Sequence, residues 1–131
     1  MELKETVKFK EPCRLVWTVV CSRFFGGSVK LHYKDSTFPL FAYEFGNTIQ
    51  RTPRVESGQM LDLMNHDLTL TVATAQAENL HCLTKNSVVR ADSSGETVAE
   101  SRWFLFDTSD NPDSRDYSAL SVSLVNFTKR V

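Results

Sequence analysis

The sequence contains few of the residues that build common catalytic and phosphate-binding motifs. Its 131 residues include only five glycines, four prolines and three cysteines. With so few glycines there is no phosphate loop of the P-loop or dinucleotide type, and the Gly-x-Ser-x-Gly motif of hydrolases is absent. We therefore predict a protein that is not an enzyme. A β-sandwich enzyme stays a third alternative, because one sequence cannot show catalytic residues that meet only in space.

The cysteines lack the spacing of a zinc module and are odd in number. Cys13 and Cys21 lie eight residues apart, about 26 Å in a strand that rises roughly 3.3 Å per residue, so they cannot bind one zinc ion together. Cys82 has a histidine, His81, directly before it, but no second pair follows at zinc-ligand spacing. We expect three reduced thiols that act as small apolar groups.

The chain has no excess of charge of one sign and no long apolar segment. Fifteen basic and 16 acidic residues give a formal net charge of −1, which argues against nucleic acid as a partner. No segment approaches the roughly 20 apolar residues of a membrane span. The charged N-terminal segment lacks the apolar stretch of a signal peptide, so we expect a cytoplasmic protein or one released without a classical signal peptide. The sequon at Asn126 then has little meaning.

The dominant pattern has a period of two residues, which predicts β-strands. Residues 68–74 (LTLTVAT) and 119–127 (ALSVSLVNF) alternate apolar and polar side chains, as half-buried strands require. Residues 13–25 are apolar at both parities, which favours a central strand covered on both faces. The length of the chain suits one domain. We predict an all-β fold with eight or nine strands, a single antiparallel β-sandwich of jelly-roll-like type over residues 1–131.

Turn residues recur between these strands. Gly26-Gly27 and Gly46-Asn47 are each predicted to close a hairpin, and the longer segment Arg90–Val98 offers Gly95 for a positive φ. Residues 73–86 have good helix propensity, so one short helix near 74–84 is an alternative to continued strand. Its presence would not change the fold class.

Five aromatic residues are concentrated in residues 32–47. Three of them, Phe41, Tyr43 and Phe45, share one strand parity and predict an aromatic stripe. Packing in the core is the default interpretation, and an interface for other proteins or a sugar-stacking surface is the alternative. Pro39 favours an edge strand here, because proline cannot donate to a central ladder. An exposed edge beside such a stripe would suit a homo-oligomer.

The segment 106–117 (FDTSDNPDSRDY) is the strongest candidate for a ligand site. Four aspartates recur at intervals of three and a tyrosine follows them: Asp107, Asp110, Asp113, Asp116 and Tyr117. Carboxylates bind sugar hydroxyls directly or hold a calcium ion that does so, with Asp110, Asp113 and Asp116 as the predicted metal ligands. An EF-hand is excluded, since Pro112 and Ser118 occupy its Gly and Glu positions. Ordinary turn formation by Asp, Asn, Ser and Pro is the alternative.

About 20 residues of this region resemble the calcium-dependent fucose-binding lectins of bacteria. In those small β-sandwiches an acidic loop runs into a tyrosine and then into the final strand, and 110–127 (DNPDSRDYSALSVSLVNF) has the same order. The resemblance implies a sandwich whose acidic loop binds calcium and a sugar. This chain departs from that pattern at Ser118 and Ala119, where the lectins carry Asn and Asp ligands, and at its end, NFTKRV, where they carry a glycine.

These observations lead to two functional hypotheses. The first is a non-catalytic, lectin-like module that binds a carbohydrate or another hydroxylated ligand through end loops, with no required cofactor and calcium as an optional one. The second is a self-associating structural or protein-interaction protein, such as a virion, toxin-associated or assembly component.

Overall fold

The computed structural model of this chain describes residues 1–22, 25–46, 53–75 and 79–129. Within these residues nine β-strands and one short 3-10 turn form: β1 Glu2–Lys8, β2 Arg14–Cys21, β3 Gly27–Tyr33, β4 Pro39–Phe45, β5 Arg54–Met60, β6 Asp67–Thr74, β7 His81–Arg90, β8 Thr97–Asp107, the 3-10 turn Pro112–Ser114, and β9 Leu120–Phe127. The all-β prediction is confirmed.

The strands form two sheets in which every neighbouring pair is antiparallel. One sheet has the order β1-β6-β3-β4 and the other has the order β5-β2-β9-β8-β7. Only β3–β4, β7–β8 and β8–β9 follow each other within one sheet. All other connections pass from one sheet to the other, as in jelly-roll-like sandwiches.

The apolar positions of the alternating strands meet between the sheets. Leu68, Leu70 and Val72 of β6 are fully buried, and so are their counterparts at alternate positions of β9, as the period of two predicts. Residues from the connections, among them Phe9 and Phe25, complete the same core.

Strand β2 lies in the interior of the five-stranded sheet, as predicted, but only one of its faces is covered. Its burial alternates strictly, with Leu15, Trp17, Val19 and Cys21 buried and the residues between them only half-buried. In the described part of the chain no element packs on the outer side. The prediction of cover on both faces was wrong, because apolar residues at the second parity line an open sheet face instead.

Two of the predicted hairpins are connections between sheets. Strands β2 and β3, on either side of Gly26-Gly27, belong to different sheets, and so do β4 and β5, on either side of Gly46-Asn47. Asn47 itself lies outside the described residues. The β7–β8 hairpin forms as predicted, and Gly95 has a φ of 68° in its loop. Local turn chemistry therefore identified chain reversals but not their partners.

The short helix considered for residues 74–84 is absent from the described residues of that segment. Thr74 ends β6 and His81 begins β7, while residues 76–78 lie outside the described part. Pairing of β7 with β8 over ten residues outweighs helix propensity here. No helix of the described residues is long and apolar enough to cross a membrane.

Asn126, the asparagine of the sequon, is part of a buried polar network. Its side chain accepts a hydrogen bond from the Cys13 amide at 3.0 Å and donates to the Glu11 carbonyl at 2.9 Å and to the Glu100 carboxylate at 3.1 Å. Asn126 is 0% exposed, so its amide is inaccessible to a glycosylating enzyme in the folded chain.

Candidate functional site

The acidic loop, defined here as residues 108–119, joins β8 to β9 at one end of the five-stranded sheet. The start of β7 lies beside it, because His81 pairs with Asp107 at the end of the β7–β8 ladder. The loop contains the 3-10 turn Pro112–Ser114 and is mostly exposed. It carries four of the five predicted ligand-binding residues.

Asp107, the last residue of β8, holds the backbone of this loop in place through hydrogen bonds. It is 5% exposed, and its carboxylate accepts hydrogen bonds from the amides of Ser109 at 2.7 Å, Asp116 at 3.1 Å and Tyr117 at 2.9 Å. A buried carboxylate needs such partners, since burial without them is costly. Both oxygens are thereby used within the protein, and Asp107 has a structural role instead of the predicted contact with a ligand.

The 3-10 turn in the middle of the loop presents Asp113 to solvent. Asn111 caps the turn by accepting a hydrogen bond from the Asp113 amide at 3.1 Å, and Pro112 supplies a fixed φ at its first position. The Asp113 carboxylate is exposed and makes no hydrogen bond or ion pair within the described residues. It is therefore free to accept hydrogen bonds from a ligand.

Arg115 folds back across the loop and fixes its first half. Its guanidinium group donates to the carbonyls of Ser109 at 2.8 Å and Asp110 at 3.2 Å, and lies 3.1 Å from Nε2 of His81. Because arginine can only donate, Nε2 of His81 accepts this bond. The arrangement joins the loop to the first residue of β7.

Asp110 stands at the same junction. Its Oδ1 accepts a hydrogen bond from the side chain of Asn79 at 3.1 Å and lies 3.6 Å from Nε2 of His81. Asn79, His81 and Arg115 were not among the predicted site residues. Counting back along the β7–β8 hairpin from Arg90 and Thr97 would have placed His81 opposite Phe106, because the register shift between Val89 and Arg90 is not visible in the sequence, so no local signal identified these residues.

Asp116 and Tyr117 form the end of the loop. The pKa of Asp116 is lowered because the Ser118 hydroxyl and the Ser118 amide donate to its carboxylate, at 2.8 and 3.1 Å. Tyr117 has a φ of 54°, an unfavourable conformation for a residue with a side chain, and its amide is held by Asp107. Three exposed carboxylates, Asp110, Asp113 and Asp116, thus project from one rigid loop.

The described residues do not provide a calcium site in this loop. Binding of calcium needs six to eight oxygens converging on one point, and in the described part of the chain no group of three or more His, Cys, Asp or Glu residues could hold a metal ion. Asp110 accepts a hydrogen bond from Asn79, whereas Asp107 and Asp116 interact with each other and accept from loop amides and from Ser118. The predicted ligand set of Asp110, Asp113 and Asp116 does not form such a group in the described residues, and calcium binding stays a prediction.

The aromatic stripe of β4 belongs to the core. Phe41 and Phe45 are 4% and 5% exposed, and Tyr43 is partly buried and accepts a hydrogen bond from the Trp17 indole at 2.9 Å. Burial leaves too little of these rings for the predicted interface, so the core interpretation applies. Strand β4 is an edge strand, as Pro39 predicted.

The three cysteines are free thiols, as expected, and two have strongly raised pKa values. Burial raises the pKa of Cys21 to about 11. Burial also raises the pKa of Cys82 to about 12, and the nearby Glu5 carboxylate adds to this rise. Thiols held in the neutral form are poor nucleophiles and poor metal ligands, so neither residue indicates a reactive site.

Comparison with known proteins gives structural neighbours but no family. No protein-family model matches the sequence, and no curated protein matches it. The C-terminal domain of BC2L-C lectin from Burkholderia cenocepacia is similar to this chain with a TM-score of 0.60 and 14% identity, over 95% of this chain and 97% of that one. The Chromobacterium violaceum lectin CV2L, solved in complex with α-methyl-fucoside, gives a TM-score of 0.58 and 11% identity, over 92% and 93%. At such identities the similarity establishes the fold alone.

Proposed function

We propose that this chain is a non-catalytic carbohydrate-binding module that uses the acidic loop as its binding surface. The observation that carries the proposal is the agreement of the fold, over more than nine tenths of each chain, with two lectin domains, one of them solved with a methyl-fucoside. Fold alone does not define a function, so the argument also needs a suitable site.

The acidic loop supplies chemistry that suits sugar hydroxyls. Asp110, Asp113 and Asp116 are exposed acceptors, and the Tyr117 hydroxyl makes no hydrogen bond within the described residues. Because Asp107 and Arg115 fix the backbone beneath them, a ligand would lose little affinity to loop ordering. We propose that the carboxylates contact hydroxyls directly, since the same groups are not arranged around a calcium ion.

A glycan array tests this function. Binding is expected for wild-type protein in buffer with chelator, and we expect it to disappear in the double variant Asp113→Asn, Asp116→Asn. The matched control is Asp92→Asn, on the exposed loop of the β7–β8 hairpin. Absence of binding to any glycan, or binding unchanged in the double variant, would remove the acidic loop as a lectin site.

A second candidate function, self-association, is favoured by the outer face of the five-stranded sheet. The ladder registers place ten apolar residues on this face, among serines and other polar residues: Val16, Val20, Val55, Leu83, Val89, Ala99, Trp103, Leu105, Val125 and Phe127. Four of them are about half exposed or more, including Val55 at 59% and Trp103 at 51%. Leu83, Val89 and Trp103 lie on the neighbouring strands β7 and β8, and exposed apolar residues grouped in this way favour an interaction surface.

We propose a second copy of the chain as the occupant of this face. Five strands and about four rows of side chains cover roughly 600 Å² at ~4.8 Å between strands and ~6.7 Å between rows. Two such faces would together bury about 1,200 Å², the lower end of the range for specific complexes. Lys85 is the only charged residue in the three rows that contain Val16, Trp103 and Leu105, so the face offers no complement to a charged partner.

Light scattering at high micromolar concentration tests the self-association. Wild-type protein is expected to form dimers, and Trp103→Lys, on β8 beside the exposed residues of β7, is expected to give monomers of unchanged fold. Thr71→Lys is the control, because Thr71 lies on the outer face of the other sheet. A monomeric wild type would contradict this candidate function.

A further inference from the structure

The two edge strands β1 and β7 have polar residues where the alternation calls for apolar ones. On β1 the inward-facing positions read Leu3, Glu5, Val7, so a carboxylate interrupts the apolar set. On β7 the same parity as Cys82 places Thr84 and Asn86 opposite the inward-facing Phe104 and Arg102 of β8. The open edge of the sandwich between β1 and β7 is therefore polar.

These residues line one cavity of about 250 Å³ between the two sheets. We call it the edge groove and define it by Glu5, Thr84, Asn86, Arg102 and Phe104. The two edge strands face each other here, since residues of both line the same cavity. The volume is below the ~300–1,000 Å³ of sites for drug-sized ligands, and so it suits a smaller molecule.

Among these residues, Arg102 is hydrogen-bonded within the protein, whereas the other polar side chains of the groove are not bonded to the part of the chain that the structure describes. Arg102 is fixed: Nε and Nη2 donate to the Lys8 carbonyl at 3.2 and 2.8 Å, and Nη1 donates to the Ser101 carbonyl at 2.9 Å. In contrast, the side chains of Glu5, Thr84 and Asn86 make no hydrogen bond within the described residues. Their acceptors and donors converge on the same space from both sheets.

We propose that the edge groove is a second ligand site, which takes one hydroxylated ring such as a single sugar unit. Glu5 accepts from hydroxyl groups, Thr84 and Asn86 both accept and donate, and Phe104, which is 3% exposed, supplies a small apolar area for C–H groups. A sugar presents this mixture of hydroxyl and C–H surface. The groove lies on the β1–β7 edge and shares none of its lining residues with the acidic loop, so the two sites are separate.

The competing explanation is protection of a sheet edge. Charged residues that point inward from edge strands discourage pairing with other chains, and Glu5 is such a residue. This explanation needs no ligand and predicts that Glu5→Leu increases self-association. The two explanations therefore differ in what the groove variants change.

Backbone amide shifts of ¹⁵N-labelled full-length chain test the proposal. The probes are the methyl glycosides of fucose, mannose and glucose, each titrated to about 20 mM in chelator. We expect at least one to give saturable shifts at residues 4–6, 84–86 and 102–104. Glu5→Gln and Asn86→Leu are each expected to weaken that binding about tenfold, the effect of one lost hydrogen bond to a charged or well-placed group. Thermal midpoints close to the wild-type value would show that the variants are folded.

Lys85→Ala is the matched control, because Lys85 neighbours Asn86 on β7 but points to the opposite face of the sheet. It is expected to leave the groove shifts unchanged. Shifts confined to residues 107–117 would overturn the groove site and leave the proposed loop site intact. Groove shifts that persist in the double variant Asp113→Asn, Asp116→Asn would support the groove site independently of the loop site. If no probe shifts the groove residues, the groove site is overturned. Stronger self-association of Glu5→Leu would then assign the polar residues to protection of the sheet edge against pairing with other chains.

Discussion

At the scale of single residues, the four regularly spaced aspartates have different roles because the backbone places them differently. Asp107 is the last residue of β8 and lies on the same side of that strand as Trp103 and Leu105, where the acidic loop covers it, so its carboxylate holds three loop amides. Asp113 lies in the exposed 3-10 turn and has no such partner among the described residues. Regular spacing in sequence thus does not give convergence in space, which is what a calcium site requires.

Substitution of Asp107 is expected to destabilise the fold. Asp107→Asn replaces one accepting oxygen with an amide group that cannot accept, and should cost about 1–3 kcal/mol in the free energy of unfolding measured by urea titration. Asp113→Asn is the control and should change stability by less than about 0.5 kcal/mol. Equal effects of both substitutions would contradict the structural role of Asp107.

Asp116 should titrate below the ordinary aspartate pKa because Ser118 donates to its ionised form. A pKa depressed in the folded state adds stability above the unfolded value, and this contribution is lost as the pH falls through the folded pKa. Removal of the hydroxyl in Ser118→Ala should move the pKa of Asp116 upward, as followed by carbon NMR of the carboxyl group. Ser114→Ala, in the same loop, should leave it unchanged.

At the scale of strands, the edge strand β5 contacts its neighbour β2 very closely at one residue, Gly58. Gly58 pairs with Trp17 of β2, and a Cβ at Gly58 would overlap the indole ring. The ring cannot easily move aside, because it donates to Tyr43 and packs on Phe41 with 5.0 Å between ring centroids. The small residue therefore allows an aromatic cluster to join both sheets.

The substitution Gly58→Ala should show how much stability depends on this close contact, as distinct from the effect of replacing a glycine elsewhere. We expect destabilisation of about 1–3 kcal/mol by overpacking, measured by chemical unfolding. Gly95→Asn is the comparison, since φ at Gly95 is 68°, asparagine tolerates that conformation and no atom lies within 4 Å of a Cβ there. If Gly58→Ala were as stable as wild type, the Trp17 ring would have to be mobile.

At the scale of the whole molecule, the two outer faces of the sandwich differ in polarity. The four-stranded sheet presents lysines and threonines, for example Lys4, Lys30 and Thr71, whereas the five-stranded sheet presents valines, leucines and Trp103 interspersed with serines. The polar face suits solvent, and the apolar face is the surface we propose for self-association. The acidic loop lies at the end of the sheet that carries the apolar face.

Calcium should have little effect on the stability of the whole molecule. A ligand that binds only the folded state at 100 times its dissociation constant adds about 2.7 kcal/mol, enough to raise the melting midpoint by several degrees. Because the carboxylates of the acidic loop do not form a group of three or more that could hold a metal ion in the described part of the chain, we expect equal midpoints in excess calcium and in chelator. A clear rise with calcium would require the loop to rearrange and would restore the original prediction of a metal site.

The sequence alone determined the fold class and the burial of individual strands. A period of two specifies which side chains share a face, so the buried positions of β6 and β9 could be assigned residue by residue. The edge position of β4 could be predicted from Pro39, because proline has no backbone N–H to donate to a neighbouring strand. These properties are local, since they depend on the geometry of one strand.

Only the tertiary structure decided which strands pair, and therefore what the site residues do. Nothing local distinguishes a turn that closes a hairpin from one that passes between sheets, as at Gly26-Gly27. Convergence of Glu5, Thr84 and Asn86 depends on contacts between residues about 80 positions apart. The role of Asp107 likewise depends on amides nine and ten residues further along the chain. The sequence specifies which chemical groups are present, but the distances between them are set only when the two sheets pack against each other.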